Sequence, residues 1–177
     1  MEEKVYEYLN RLVSVPGISD TDEERKTAEA IREILAEQPY FKACPENFGT
    51  VEIPGDAGKR PLVYGLVRGN RKSGRTIILT GHYDVASGEW IFGRGAADMK
   101  GGLAAGLAVL LGIGEEVLDG TCGMDGNVLF LSVPDEESYS VGMRGAAGFL
   151  ADLRERENRK SLLVELPEIL HTLIENM

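Results

Sequence analysis

"LTGHYDVASGEWIFGRGAADMKGG", residues 79–102, sets one histidine, two aspartates and several glycines within a short span. An apolar run, Ile77, Ile78 and Leu79, leads into His82 and Asp84, and the chain then passes Gly93 and Gly95 to Asp98. The small-residue segment "MKGGLAAGLAVLLGIGEEVL" (99–118) follows. An apolar run bounded by polar and glycine residues reads as a buried strand, and the Gly/Ala/Leu segment reads as a helix lying close against a sheet. Strand then helix is half of a crossover unit. The completing strand is "GNVLFLSVPDEES" (126–138), and a further amphipathic helix, "GMRGAAGFLADLRERE" (142–157), comes after it.

Upstream, "PLVYGLVRG" (61–69) reads as another strand, separated from the first by the turn "NRKSG" (70–74), and the mixed segment 47–60 reads as a strand with turns. Two helices precede these. One places Val5, Tyr8, Leu9 and Leu12 on one face and stops at Pro16-Gly17; the other places Ala28, Ile31, Ile34 and Leu35 inward and stops before Pro39. The alternation implies an α/β fold, a three-layer sandwich around a largely parallel central sheet, with the strands at 75–82 and 126–133 central and covered on both faces. Residues 1–160 form the domain. Residues 161–177 form a tail, with a strand at Ser161–Leu166 and a closing helix that begins at Pro167.

The chain has 177 residues, 43% of them hydrophobic, enough for one core. Its 29 acidic and 19 basic residues leave a formal charge of −10, which argues against nucleic-acid or anionic-membrane partners. The apolar stretch 102–114 is too short to span a bilayer, and no basic segment precedes an early apolar one, so the expected location is cytoplasmic. Cys44 and Cys122 form no CxxC pair and read as reduced structural thiols.

Open α/β sheets bind ligands beyond the carboxyl ends of their strands. His82 and Asp84 stand at one such end; Asp135, Glu136 and Glu137 stand at another; Asp98 starts the intervening helix. Imidazole plus carboxylates without thiolate suits Zn²⁺, with Mn²⁺ or Co²⁺ as substitutes. Asp84, two residues from His82 on an extended chain, can hold the far ring nitrogen and fix the tautomer. Glu136 and Glu137 point to different sides, so one can ligate while the other faces a substrate. A nucleotide loop is the weaker reading of "GRGAAD", because Asp98 replaces the third glycine and no GK[ST] follows.

These motifs, "GHYDV", "GRGAADMKGGLAA" and "PDEE", resemble the three successive signatures of the M20-type zinc-dependent amidohydrolases and peptidases, and "LVSVPGIS" resembles the family's opening helix and turn. The pairing of "EWIFGRG" with "GNVLFLSVPDEESYSVGMRGA" is similar to the arginine-utilization branch. The resemblance covers about residues 5–157. It implies a zinc-peptidase-like catalytic domain, here without its C-terminal part and lid domain. By it, His82 and Glu137 each ligate one of two metals and Asp98 bridges them, Asp84 orients His82, and Glu136 is the general base. The implied reaction is cleavage of an N-acyl amino acid or small peptide. Glu136 takes the proton of a water acidified by the cations, the oxygen attacks the amide carbonyl, and Glu136 passes the proton to the leaving amine.

Three departures qualify that reading. The link from Asp84 to Asp98 is shorter than usual in the family, which implies a trimmed substrate rim. The family's further acidic ligand has only a candidate in Glu165, within "LLVELPE", and an ordinary helix-start carboxylate is the alternative. The remaining histidine ligand and the lid have no counterpart, since His171 reads as a packing or surface residue. A second function class therefore stands beside the hydrolase: a catalytically incomplete fragment that binds metal weakly and serves in interaction or in no independent role. An uncompleted sheet edge is expected to favour self-association.

Overall fold

The computed structural model of the chain describes residues 1–69, 75–86 and 93–156. The expected tail, with Glu165 and His171, lies outside the described residues. Helix α1 (Glu2–Val13) opens with Glu2 and Glu3 and carries Arg11 in its last turn, charges that suit the two ends of a helix dipole; Tyr8 and Leu12, one turn apart, are buried. Helix α2 (Glu23–Glu37) buries Ala28, Ile31, Ile34 and Leu35. It ends where Gln38 turns extended (ψ 143°) ahead of Pro39, and Pro39 then begins a short helix, α3 (Pro39–Ala43), which the sequence pattern did not suggest.

Strands β1 (Phe48–Val51), β2 (Leu62–Arg68), β3 (Thr76–His82) and β4 (Asn127–Val133) form one sheet in the order β1-β2-β4-β3. Helix α4 (Gly101–Leu118) joins β3 to β4, and α5 (Val141–Arg156) follows β4. Two apolar clusters flank the sheet. On one face Tyr8, Leu12, Ile31, Ile34 and Leu35 pack with Leu107 and Leu111 of α4; on the other, Leu62, Leu129, Leu131 and Val133 pack with Ala146 and Leu150 of α5. Helices, sheet and helix are thus stacked as a three-layer α/β sandwich.

Two expectations about the sheet need correction. It is not largely parallel: β1–β2 and β2–β4 pair antiparallel, and only β3–β4 pair parallel. A parallel pair needs a long crossover, and α4 is the crossover that joins two adjacent strands here. Strand β4, placed between β2 and β3, makes the other contact antiparallel. Among the described residues β3 is not central either: β4 is buried at all seven positions, whereas β3 stands at the edge of the described sheet with Ile77 62% exposed. Its Ile-Ile-Leu run carries the composition of a covered strand, but β4 is its only described neighbour.

With the turn before it, α4 forms the one described segment long and apolar enough to cross a membrane by length and composition, Ala96–Leu118, longer than the stretch read from the sequence. It packs onto the sheet instead through Leu103, Ala104, Leu107, Leu110 and Leu111. Cys44 and Cys122 are both free.

Candidate metal centre

Three pieces of chain meet beyond the carboxyl ends of β3 and β4. His82 is the last residue of β3. The turn 135–137 follows β4 after Pro134. Asp98 lies in a wide turn, Ala96–Lys100, that leads into α4, and its own backbone is extended (φ −125°, ψ 100°). Close packing brings that turn to β3: the Met99 thioether lies over Gly81, where a Cβ would require the methionine side chain to shift.

The ring of His82 is buried and held at both nitrogens. Nδ1 lies 3.0 Å from the Asp84 carbonyl oxygen and 3.4 Å from its Oδ1. A carbonyl oxygen can only accept, so Nδ1 carries a proton and Nε2 faces outward. There it meets Asp98 Oδ1 at 3.1 Å and Glu136 Oε2 at 3.8 Å. Burial alone would lower the imidazole pKa; hydrogen bonds to Asp84 and Asp98, and the Glu136 charge, outweigh it and raise His82 to about 9. A divalent cation would compete with the Nε2 proton for the same lone pair.

Asp84 differs from its expected use. Its carbonyl, more than its carboxylate, meets the His82 ring. The carboxylate accepts from Ser19 Oγ (2.7 Å) and from the backbone amides of Glu136 (3.1 Å) and Glu137 (3.2 Å). Burial works against its ionised form, but the hydrogen bonds from His82, Ser19 and the two amides hold Asp84 below the usual carboxylate range. Ser19 is brought there by a backbone link, Ser19 N–H to Val85 O and Val85 N–H to Gly17 O, both 2.9 Å. Lys100, wholly buried, ties down the same segment by donating to Val15 O (2.5 Å) and Pro16 O (3.0 Å); burial lowers its pKa to about 8.

One ligand atom each from His82, Asp98 and Glu137 lie within 4.8 Å of one another. Zinc bonds of 2.0–2.2 Å place tetrahedral ligand atoms about 3.4 Å apart, so a modest contraction of the two carboxylate arms would close the set on one cation. Those arms can move: the Asp98 side chain is 80% exposed and Glu137 is also exposed. The donor set fits zinc, three protein ligands with an open position for water being the usual form of a catalytic site. A cleft of about 350 Å³ lined by Val85, Gly95, Asp98 and Glu137 opens beside it.

The pattern reading brought His82, Asp84, Asp98, Glu136 and Glu137 to one place, and so does the structure. It missed Ser19, Glu24, Arg60 and Lys100. Ser19 lies in the quoted "LVSVPGIS" and Lys100 in "DMKGG", so both had a motif to point at them; Glu24 and Arg60 had none.

Residues 78–174 match the sequence model of peptidase family M20/M25/M40. Protein RocB of Bacillus subtilis (strain 168) is 29% identical over 191 residues, covering 88% of this chain and 33% of that protein. An N-formyl-4-amino-5-aminomethyl-2-methylpyrimidine deformylase of Halalkalibacterium halodurans is 31% identical, covering 86% and 38%. The chain thus spans about a third of the length of the curated relatives it matches. Among solved structures, the di-peptidase Dug1p of Saccharomyces cerevisiae superposes with a TM-score of 0.61 at 18% identity, covering 88% of this chain and 35% of that one. Human carnosine dipeptidase 1 superposes with a TM-score of 0.56 at 17% identity, covering 90% and 36%. At these identities the likeness is one of fold.

Proposed function

The chain belongs to peptidase family M20/M25/M40, and from that premise we propose that it supplies the metal-binding and proton-transfer groups of a hydrolase acting on the amide bond of an N-acyl amino acid or small peptide. The observation that carries the reading is the approach of His82, Asp98 and Glu137 to within 4.8 Å, with His82 Nδ1 already committed to Asp84. His82, Asp98 and Glu137 would hold Zn²⁺, with Co²⁺ or Mn²⁺ as substitutes, and Asp98 would be shared where a second cation binds. When bound, such a cation acidifies a water and polarises a carbonyl oxygen.

Asp84 orients the imidazole and keeps the turn 135–137 in place. Glu136 Oε2 lies 3.8 Å from His82 Nε2 on a half-exposed side chain. It takes the proton of the attacking water and returns it to the leaving amine, help worth about 10²–10⁴ in rate. The described residues carry all of these groups. The substrate is small, and the edge of β3, which has no second strand partner among the described residues, is a surface for self-association.

The alternative, weak metal binding without turnover, has one observation in its favour: among the described residues the donors form a single group of three, enough for one cation. The two readings separate in one experiment. Zinc-loaded chain is assayed on a panel of N-acyl amino acids and dipeptides beside Glu136→Gln. Turnover that disappears in Glu136→Gln while zinc content is unchanged supports the hydrolase; zinc content without turnover supports the alternative.

A further inference from the structure

Behind the site lies a buried charged network in which only Asp135 belongs to a ligand-type motif. Arg60 is 6% exposed, and Glu24 and Asp135 are wholly buried. Arg60 Nη1 donates to Asp135 Oδ1 (2.7 Å) and Glu24 Oε1 (3.1 Å), and Nη2 donates to Asp56 Oδ1 (2.7 Å). The second oxygen of Glu24 accepts the backbone amide of Asp135 at 3.0 Å. Asp135 itself has φ 61°, a left-handed conformation that a non-glycine residue adopts only when its surroundings impose it.

Three successive amides, those of Asp135, Glu136 and Glu137, therefore each donate to a buried carboxylate, the first to Glu24 and the other two to Asp84. Successive amides that converge in this way form an anion-binding nest. Here the anions are side chains of the protein itself, and Arg60 is the guanidinium facing Glu24 and Asp135 together. We propose that Arg60 and Glu24 are positioning residues of the metal centre: they hold the backbone of the turn 135–137, and so fix where Glu136 and Glu137 stand relative to His82. A lysine cannot reproduce the fork, because one ammonium cannot reach Asp56, Glu24 and Asp135 in the directions that three guanidinium N–H groups take.

The proposal rests on the metal-centre reading, and two readouts separate them. The full chain and its Arg60→Lys and Glu24→Gln variants are titrated with Co²⁺ at neutral pH, and amide hydrogen exchange is followed in the metal-free proteins. Glu24→Gln keeps the side-chain shape and a neutral acceptor, and serves if Arg60→Lys does not fold. The expected result is Co²⁺ affinity about 10–100-fold weaker, an altered visible cobalt band, and at least tenfold faster exchange at residues 135–137, with the amides at the middle of α4 unchanged. A folded variant with the parent's cobalt spectrum, affinity and protection at 135–137 would overturn the proposal. Absence of cobalt binding by the parent chain would sink the metal reading alone, because the exchange of residues 135–137 would still decide whether Arg60 and Glu24 hold the turn.

Discussion

Strands β3 and β4 run side by side, pair in parallel from Thr76↔Asn127 to His82↔Val133, and each ends in groups of the candidate metal centre. Yet they are built differently. β4 is buried along its whole length, and the turn after it is held by three amides on two buried carboxylates. β3 lies at the edge of the sheet among the described residues, with Ile77 exposed, and the acidic group opposite its His82, Asp98, stands on an 80% exposed arm. On the β4 side the backbone of the turn is a held frame, and on the β3 side the acidic group stands on an adjustable arm. A cation can close such a pair by drawing in the arm, at the cost of ordering only a few side chains.

Four predictions test that contrast, from the largest effect to the smallest. Glu136→Gln, on the fixed side, should lower kcat about 10²–10⁴-fold with zinc content retained; steady-state rates beside metal analysis would read it, and loss of zinc as well would mean that Glu136 is a ligand. Leu131→Ala in β4 should cost about 2–5 kcal/mol of stability in chemical denaturation, because Leu131 is 1% exposed in the cluster under α5.

Third, the metal-free chain should lose stability as pH rises. Folding raises His82 from an ordinary value near 6.5 to about 9. A raised pKa contributes fully below the unfolded value and is lost as pH climbs through the folded one. The window is therefore about pH 6.5–9, and the loss is on the order of 2–3 kcal/mol. Denaturation midpoints that stay flat across that window, or a slope that survives in His82→Gln, would remove His82 as the cause. Fourth, Ile77→Ala in β3 should change stability by less than about 0.5 kcal/mol. Ile77→Lys should shift any self-association seen in sizing experiments toward the single chain, since an edge lysine discourages strand pairing. A loss at Ile77 as large as that at Leu131 would erase the distinction between the two strands.

Much of this was legible in the residues. His82, Asp84, Glu136 and Glu137 sit in short motifs at strand ends, and Asp98 in a motif at the start of the crossover helix, where ligand-type residues stand out from the apolar pattern. The helices were legible through their apolar periodicity, apart from α3. Strand order was not, because Ile77-Ile78-Leu79 and Val128-Leu129-Phe130 have similar composition and only the partners differ. Those partners are set by chain segments far apart: β4 lies next to β2 across some sixty residues, pairing Val63 with Ser132. Arg60 was invisible for the same reason. It is a single arginine in an irregular segment, and its meaning comes from Glu24 and Asp135, 36 and 75 residues away.

The central claim, that an imidazole and two carboxylates from separate segments share a divalent cation, meets its most direct test in calorimetric titration of the metal-free chain with Zn²⁺. Saturable binding of at least one equivalent is expected, with proton release, abolished in His82→Ala and weakened in Glu137→Gln. Zinc binding that is absent in the parent chain, or unchanged in both variants, would contradict it.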